Sequence, residues 1–491
     1  MEAIWGAIGE VFSPHMVFVA VSAVALGLFW GAMPGLTTVM AMALLISITY
    51  KMSTNAAIMF LIALHTASTY GGSITAVLIN IPGTPASIPT AMEGYPLTKK
   101  GEGGLALGSA IVASFLGNWI GTIALIIFVP MILAIALKFG AWELFLLALW
   151  GIAISGTLTG KEKPIKGWIS GCLGLLIAMV GMEPMHAFYR FTFGSIALAS
   201  GISYLPILIG LFGLAEVLKA LSMKVPERIA EQVGRIIPPF YMIKKHLWNT
   251  LRSGMLGTLV GAIPGAGPNI SSFVAYDVAK RRAKGEEREK FGKGSYAGLI
   301  ASEVANNATI GGSLLPTMTL GIPGSAGAAI FLGALNLHAV VVGPSIQIEH
   351  PGLMYFLYVS LIVANFLMYI MALLLIKPGV KLFTIRRELL MPLIVPLCAI
   401  GAYGANQFSF DVYVMIASGL LGFALYKMKF PLAPLILGVI LGDMADENLR
   451  KAMMIFQADG ASVIDVLSRP VGTILLAVVA LTFYDGIFRR R

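Results

Sequence analysis

Charge is scarce in this chain. Only 12% of its 491 residues are Asp, Glu, Lys or Arg, whereas 57% are hydrophobic. A soluble domain carries about 25% charged residues, so the charges here are too few to coat a water-facing surface. A large soluble protein is excluded, and so is a disordered chain, which would be poor in apolar residues. Cysteine is nearly absent: 2 residues, Cys172 and Cys398, both in apolar runs. That rules out a disulfide scaffold and leaves both as small core residues. The opening stretch MEAIWGAIGEVFSPHM has Glu2 and Glu10 but no Lys or Arg. It lacks the basic start of a cleaved leader, and none is expected.

Catalytic signatures are missing too. There is no GxGxxG, GxSxG or HExxH, and Gly156–Lys161 is one residue short of a phosphate-binding loop and is followed by Glu162. His15, His65, His186, His246, His338 and His350 show no metal-ligand spacing and read as packed residues. Neither an enzyme, a resident cofactor, a bound metal nor ATP-driven transport is expected.

What is present is long apolar blocks. In the first half they fall near 14–33, 36–50, 55–81, 104–137, 141–158, 165–182 and 195–218. A second series covers about 247–263, 267–279, 294–330, 352–376, 388–404, 409–426, 431–445 and 470–487. A helical crossing needs about 20 apolar residues, and a membrane β-barrel would alternate in short segments. The expectation is an all-α polytopic integral membrane protein of roughly 12–14 crossings or half-crossings. The formal charge of +10 then belongs to loops facing the cytoplasm, not to a nucleic-acid surface. Membrane lipid is the implied surrounding.

The two series repeat one another. Gly31-Ala32-Met33-Pro34-Gly35 matches Gly261-Ala262-Ile263-Pro264-Gly265, each with a further Gly four residues earlier. Downstream, Gly71-Gly72-Ser73 and Ile81-Pro82-Gly83-Thr84 match Gly311-Gly312-Ser313 and Ile322-Pro323-Gly324-Ser325. Two motifs in the same order make a duplicated unit. We divide the chain into a first membrane repeat, 1–218, a basic cytoplasmic linker, 219–246, and a second repeat, 247–491. Between its motifs the first half has only Lys51, whereas the second has seven Lys and Arg from Lys280 to Lys293. After the second motif the bias reverses: Lys99 and Lys100 have no counterpart in Asn336–Pro351. Opposite loop bias places matching loops on opposite sides, so the repeats are expected to be inverted. The segment Asp443–Arg469 fits neither side cleanly.

A Pro-Gly pair stops an apolar helix, and broken backbone survives in hydrocarbon only where protein or a wet cavity covers it. Breaks at Pro34-Gly35, Pro82-Gly83, Pro264-Gly265 and Pro323-Gly324 therefore point to a transport site near the midplane. Hydroxyls and amides beside half-helix N-termini suit a carboxylate. On that basis the candidate substrate residues are Ser73, Asn80, Pro82, Gly83, Thr84, Ser87, Asn307, Ser313, Thr319, Pro323, Gly324 and Ser325. Glu303 is an ionisable group inside an apolar block, and with Asn306 and Asn269 it forms the candidate ion-coupling set. Transported Na⁺ or H⁺ is the implied ion. The competing readings are close glycine packing without a site, a helix-capping role for Glu303, a passive anion channel, and a scaffold whose partner carries the path.

On Gly31–Leu36, Tyr70–Ser87, Gly261–Pro268, Glu303–Ala308 and Gly311–Ser325, the chain resembles the large membrane subunit of tripartite tricarboxylate transporters, the TctA family. Leu441–Arg450 is similar as well, apart from Asp443 and Asp446. The resemblance implies a bacterial inner-membrane carrier, driven by Na⁺ or H⁺, for small di- and tricarboxylates or aromatic carboxylates. It also implies two partners, a small four-helix membrane subunit and a periplasmic substrate-binding protein. Association of two copies of the chain stays open.

Overall fold

Each half of the chain folds around one long helix that stops at a Pro-Gly motif. The computed structural model describes residues 2–33, 35–160, 163–183, 185, 187–222, 234–379, 387–458 and 469–488. Pro34 lies outside them, as do Lys161 and His186, 223–233 of the basic linker, most of the basic stretch before Arg387, and 489–491.

In the first half the long helix is Thr54–Ile79. Ser53 caps its start by accepting the Ala56 N–H, and Asn80 ends it in the left-handed region at φ 55°. In the second half it is Tyr296–Leu320, capped by Ser295 and ended by Gly321 at φ 70°. Pro82 and Pro323 follow two residues on; having no N–H, neither allows the helix to resume at once. After each break comes a shorter piece: the 3₁₀ turn Pro85–Ser87 with helix Ile88–Lys99, and helix Ala326–Leu337. The other breaks lie between Pro14–Gly31 and Thr38–Thr49, and between Leu247–Gly261 and Gly267–Arg282. All four breaks expected from the sequence interrupt helices.

The breaks within a half pack backbone to backbone. A Cβ on Gly31 would lie 2.2 Å from the Ser68 carbonyl, and one on Gly83 would lie 2.7 Å from the Gly31 carbonyl. In the second half a Cβ on Gly324 would lie 2.2 Å from the Gly261 carbonyl. These contacts correct the motif register. Gly71 meets Leu28 as Gly312 meets Thr258, so Gly71 corresponds to Gly312, and not to Gly311 as the strings suggest. The capping bonds agree, since Asn80 donates to Thr75 and Gly321 to Pro316. Close packing of this kind drives helix association in lipid, where apolar burial alone cannot.

The halves then interlock. Helix Gly103–Ala136 of the first half packs along Tyr296–Leu320 of the second, and Pro351–Gly379 of the second packs along Thr54–Ile79. Gly117 and Gly121 allow the first contact, because Cβ atoms there would lie 2.4 and 2.5 Å from the Val304 and Ala308 carbonyls. Asn118 donates to Asn365 at 3.2 Å where Gly103–Ala136 meets Pro351–Gly379. At one end of the bundle Lys100 donates to the Lys293 carbonyl at 2.7 Å, so basic loops of both halves meet there. At the other, Asn55 donates to Glu10 at 2.8 Å.

The outer layer includes Ala141–Thr159, Pro164–Ala178, Tyr204–Ser222, Arg387–Asn406, Ser409–Lys427, Leu432–Ala458 and Pro470–Phe488. The unassigned segment after Asp443 is mostly one continuous helix, Leu432–Ala458. Just before its start, Met428 accepts from Lys166 at 2.6 Å, and farther along Asp446 pairs with Arg190 at 2.9 Å. Its acidic turn therefore lies at the end away from Lys166; residues 459–468 are outside the described set. Among the described residues, eight helices are long and apolar enough to cross a membrane and four more are shorter but apolar. The β structure described is one hairpin, Gly181–Met182 with Tyr189–Arg190. This is an all-α polytopic membrane protein.

Candidate functional site

Two carboxylates are buried where the halves meet, and each reaches from one half into the other. Glu303 lies in the first third of helix Tyr296–Leu320 and is 0% exposed. Ser73 donates to its Oε1 at 2.6 Å, Ser114 donates to its Oε2 at 3.0 Å, and Thr90 donates to Oε1 as well. All three donors are hydroxyls, from three different helices of the first half. Around them, Asn307 donates to Ser114 at 2.8 Å and to its own Glu303 carbonyl at 3.0 Å, and Ser302 shares a 3.2 Å contact with Thr90. Asn118 and Asn365 extend the polar line. Among the described residues no Lys, Arg or His forms an ion pair with Glu303. A carboxylate with no charged partner in this setting is costly unless a proton or a cation neutralises it.

Glu93 is the other carboxylate, on helix Ile88–Lys99, also 0% exposed. It accepts from the Tyr276 hydroxyl at 2.6 Å and from the backbone N–H groups of Gly292, Gly294 and Ser295 at 2.6, 3.1 and 2.7 Å. These donors belong to the basic loop of the second repeat and the helix before it. Tyr296 adds a bond to Glu102 at 2.7 Å. Together these bonds fasten the basic ends of the two halves. The sequence reading passed over Glu93 because it sits beside a solvated loop, where a carboxylate ordinarily faces water.

The residues expected at the site are placed as follows. Ser73 belongs to the Glu303 cage. Gly83 is buried and donates its N–H to the Gly72 carbonyl at 3.2 Å, while Pro82 is half-buried and Asn80 is exposed. Thr84 and Ser87 share a 3.3 Å hydroxyl contact. Pro323 and Gly324 are buried. Ser325 caps helix Ala326–Leu337 at 3.1 Å and also touches Ser313 at 3.2 Å. Ser313 and Thr319 bond back to their own helix, at the Ile310 and Leu315 carbonyls, so each hydroxyl proton is already engaged. Gly35 and Gly265 take φ 84° and 72°, which the turns after Met33 and Pro264 require. Pro264 is buried, whereas Asn269 is exposed. Asn306, 1% exposed, has no partner on either end of its amide. The sequence reading also missed Thr90 and Ser114: lone hydroxyls in apolar helices have no local mark, and only the Glu303 contact singles them out.

The described cavities open elsewhere. One of about 880 Å³ is lined by Arg190, Tyr204, Asn406, Asp411, Asp443 and Asp446, and another of about 570 Å³ by Glu10, Asn55, His338, Glu349 and His350. The Glu303 cage is fully buried, with Ser73, Thr90, Ser114 and Glu303 all 0% exposed.

Comparison with known proteins bears on this arrangement. Residues 17–437 match the model of the tripartite tricarboxylate transporter TctA family. The chain is 36% identical over 459 residues to "Uncharacterized 52.8 kDa protein in TAR-I ttuC' 3'region" of Agrobacterium vitis, covering 93% of this chain and 90% of that one. It is 39% identical over 203 residues to "Uncharacterized protein in TAR-II ttuC' 3'region" of the same organism, covering 41% of this chain and 83% of that one. No solved structure matches.

Proposed function

We propose that this chain, which belongs to the tripartite tricarboxylate transporter TctA family, is the ion-driven permease of its system, taking up small di- or tricarboxylates across the bacterial inner membrane. Membership makes it a transporter component and implies partner subunits. In our reading these are a small four-helix membrane subunit and a periplasmic protein that delivers the substrate.

The observation that carries the ion-driven part is the Glu303 cage. Its three donors come from one repeat and its carboxylate from the other. Hydroxyls can donate to a carboxylate, accept from a carboxylic acid, or turn lone pairs toward a cation. A Na⁺ or H⁺ bound there would neutralise Glu303 and strengthen the contact between the repeats, which is how an ion can bias a movement between them. We read the repeats as inverted. The long helix of the second half begins at Tyr296, beside Glu102 at the end of Ile88–Lys99, while that of the first begins beside the 570 Å³ cavity that His338, just past Leu337, also lines. Substrate would meet the tips at Pro82–Ser87 and Pro323–Gly327, where helix N-termini offer free N–H groups to an anion.

Reconstitution of the chain with its partners in vesicles tests this. Labelled citrate should accumulate when an inward Na⁺ or H⁺ gradient is imposed, with saturation and counterflow. Accumulation that persists with both gradients collapsed sinks the coupling, and non-saturating flux identifies a channel instead.

A further inference from the structure

Two residues in equivalent places in the repeats each face the other repeat's tip. The corrected register relates the second halves of the repeats by 241 positions, as in Gly71 to Gly312 and Gly83 to Gly324. The same offset takes His65 to Asn306.

His65 is 7% exposed in the middle of Thr54–Ile79. A Cβ on Gly327 would lie 2.7 and 2.8 Å from its Cε1 and Nε2, so the imidazole rests against the first turn of helix Ala326–Leu337. That turn carries the N–H groups that a helix start leaves without intrahelical partners. Asn306 stands in the matching place. Gly298, Ser302 and Asn306 form one stripe at i, i+4 and i+8. A Cβ on Gly298 would touch the Glu93 side chain, and Ser302 contacts Thr90. The next position on the stripe therefore lies level with the turn Pro85–Ser87, which packs on this helix. Both amide atoms of Asn306 are buried there without a hydrogen bond. A buried amide left unsatisfied costs about 1–3 kcal/mol, so some polar group should meet it in a working state.

We propose that His65 and Asn306 are a substrate-reading pair, each holding one carboxylate of a ligand that bridges the two tips. This rests on the di- and tricarboxylate carrier reading above and deepens it by naming the side chains that hold the two separated carboxylates. An imidazole beside Ser325 and the start of helix Ala326–Leu337 takes one end. An amide beside Ser87 and the start of Ile88–Lys99 takes the other. The backbone is repeated but these two side chains are not, so the two ends of the ligand are read by different donors.

The test is uptake of succinate, citrate and benzoate by the chain reconstituted with its partners, for the unaltered protein and for His65→Gln, His65→Leu, Asn306→Asp and Asn306→Leu. His65→Leu and Asn306→Leu should each raise KM for citrate or succinate at least tenfold, whereas benzoate, whose one carboxylate can occupy only one end, should be weakened by one of the two substitutions and changed less than threefold by the other. His65→Gln keeps a donor and should lie between. Thermal midpoints should stay within a few degrees of the unaltered protein, and His65→Gln and Asn306→Asp serve if a leucine variant does not fold. An unchanged ranking of the three substrates in folded variants overturns the pair while the carrier reading stands. Failure of the unaltered protein to take up any of the three overturns both.

Discussion

Glu93 and Glu303 are both buried, both acidic and both cross from one half of the chain to the other, yet their surroundings differ in kind. Three of the four donors to Glu93 are backbone N–H groups, which cannot rotate and can only donate. That shell matches an acceptor and nothing else. The three donors to Glu303 are hydroxyls, which can reverse their role. The first arrangement suits a permanent fastening and the second suits a group whose charge is changed during work. Similar burial thus gives a clamp in one place and a candidate switch in another, and the donor chemistry makes the difference.

The largest effect should come from removing the clamp. Glu93→Ala leaves three backbone donors and a phenol without an acceptor inside the protein, a loss of about 3–5 kcal/mol by the measure of broken buried charge contacts. A strongly lowered thermal midpoint in detergent, with little folded protein recovered, is expected. A midpoint within about two degrees of the unaltered chain would mean that the basic loop is held by something else.

Next comes Glu303→Gln. The amide keeps an oxygen for the hydroxyls and removes the charge, so folding should survive while stimulation of uptake by the ion gradient falls at least tenfold. Full retention of ion dependence removes Glu303 from the coupling role and dissolves the contrast with Glu93.

The smallest effects separate single donors. Tyr276→Phe deletes one hydrogen bond to Glu93 and should cost about 1–2 kcal/mol in stability without altering the response to Na⁺ or H⁺. Thr90→Val deletes one hydroxyl from the Glu303 cage, and here the ion concentration for half-maximal uptake should rise several-fold. Interchanged outcomes would reverse the assignment of clamp and switch.

Much of the fold was legible in the residues. Pro-Gly pairs mark the four breaks because a missing N–H and a Cβ-free residue act locally, whatever surrounds them. Glu303 stood out because an ionisable group in an apolar block is rare at any position. Several candidate substrate residues already have local partners in the fold. Ser313 and Thr319 look available in sequence, but a hydroxyl in a helix can bond its own carbonyl three or four residues back, and both do. Asn80 reads as a polar site residue and serves as a left-handed helix cap. His65 was read as ordinary packing, and only its place against Gly327 gives it a direction.

The sequence by itself determined that this chain lives in a membrane, is helical, carries two similar sets of Pro-Gly motifs, and is broken at four points. Each of these follows from composition or from a local steric rule. Tertiary structure alone decided which polar groups are satisfied and by what. Ser73 and Glu303 are 230 residues apart, and Glu93 and Ser295 are 202 apart. No local periodicity reports such a partner, because a hydrogen bond across repeats exists only once the helices have packed and brought its two ends within 3 Å.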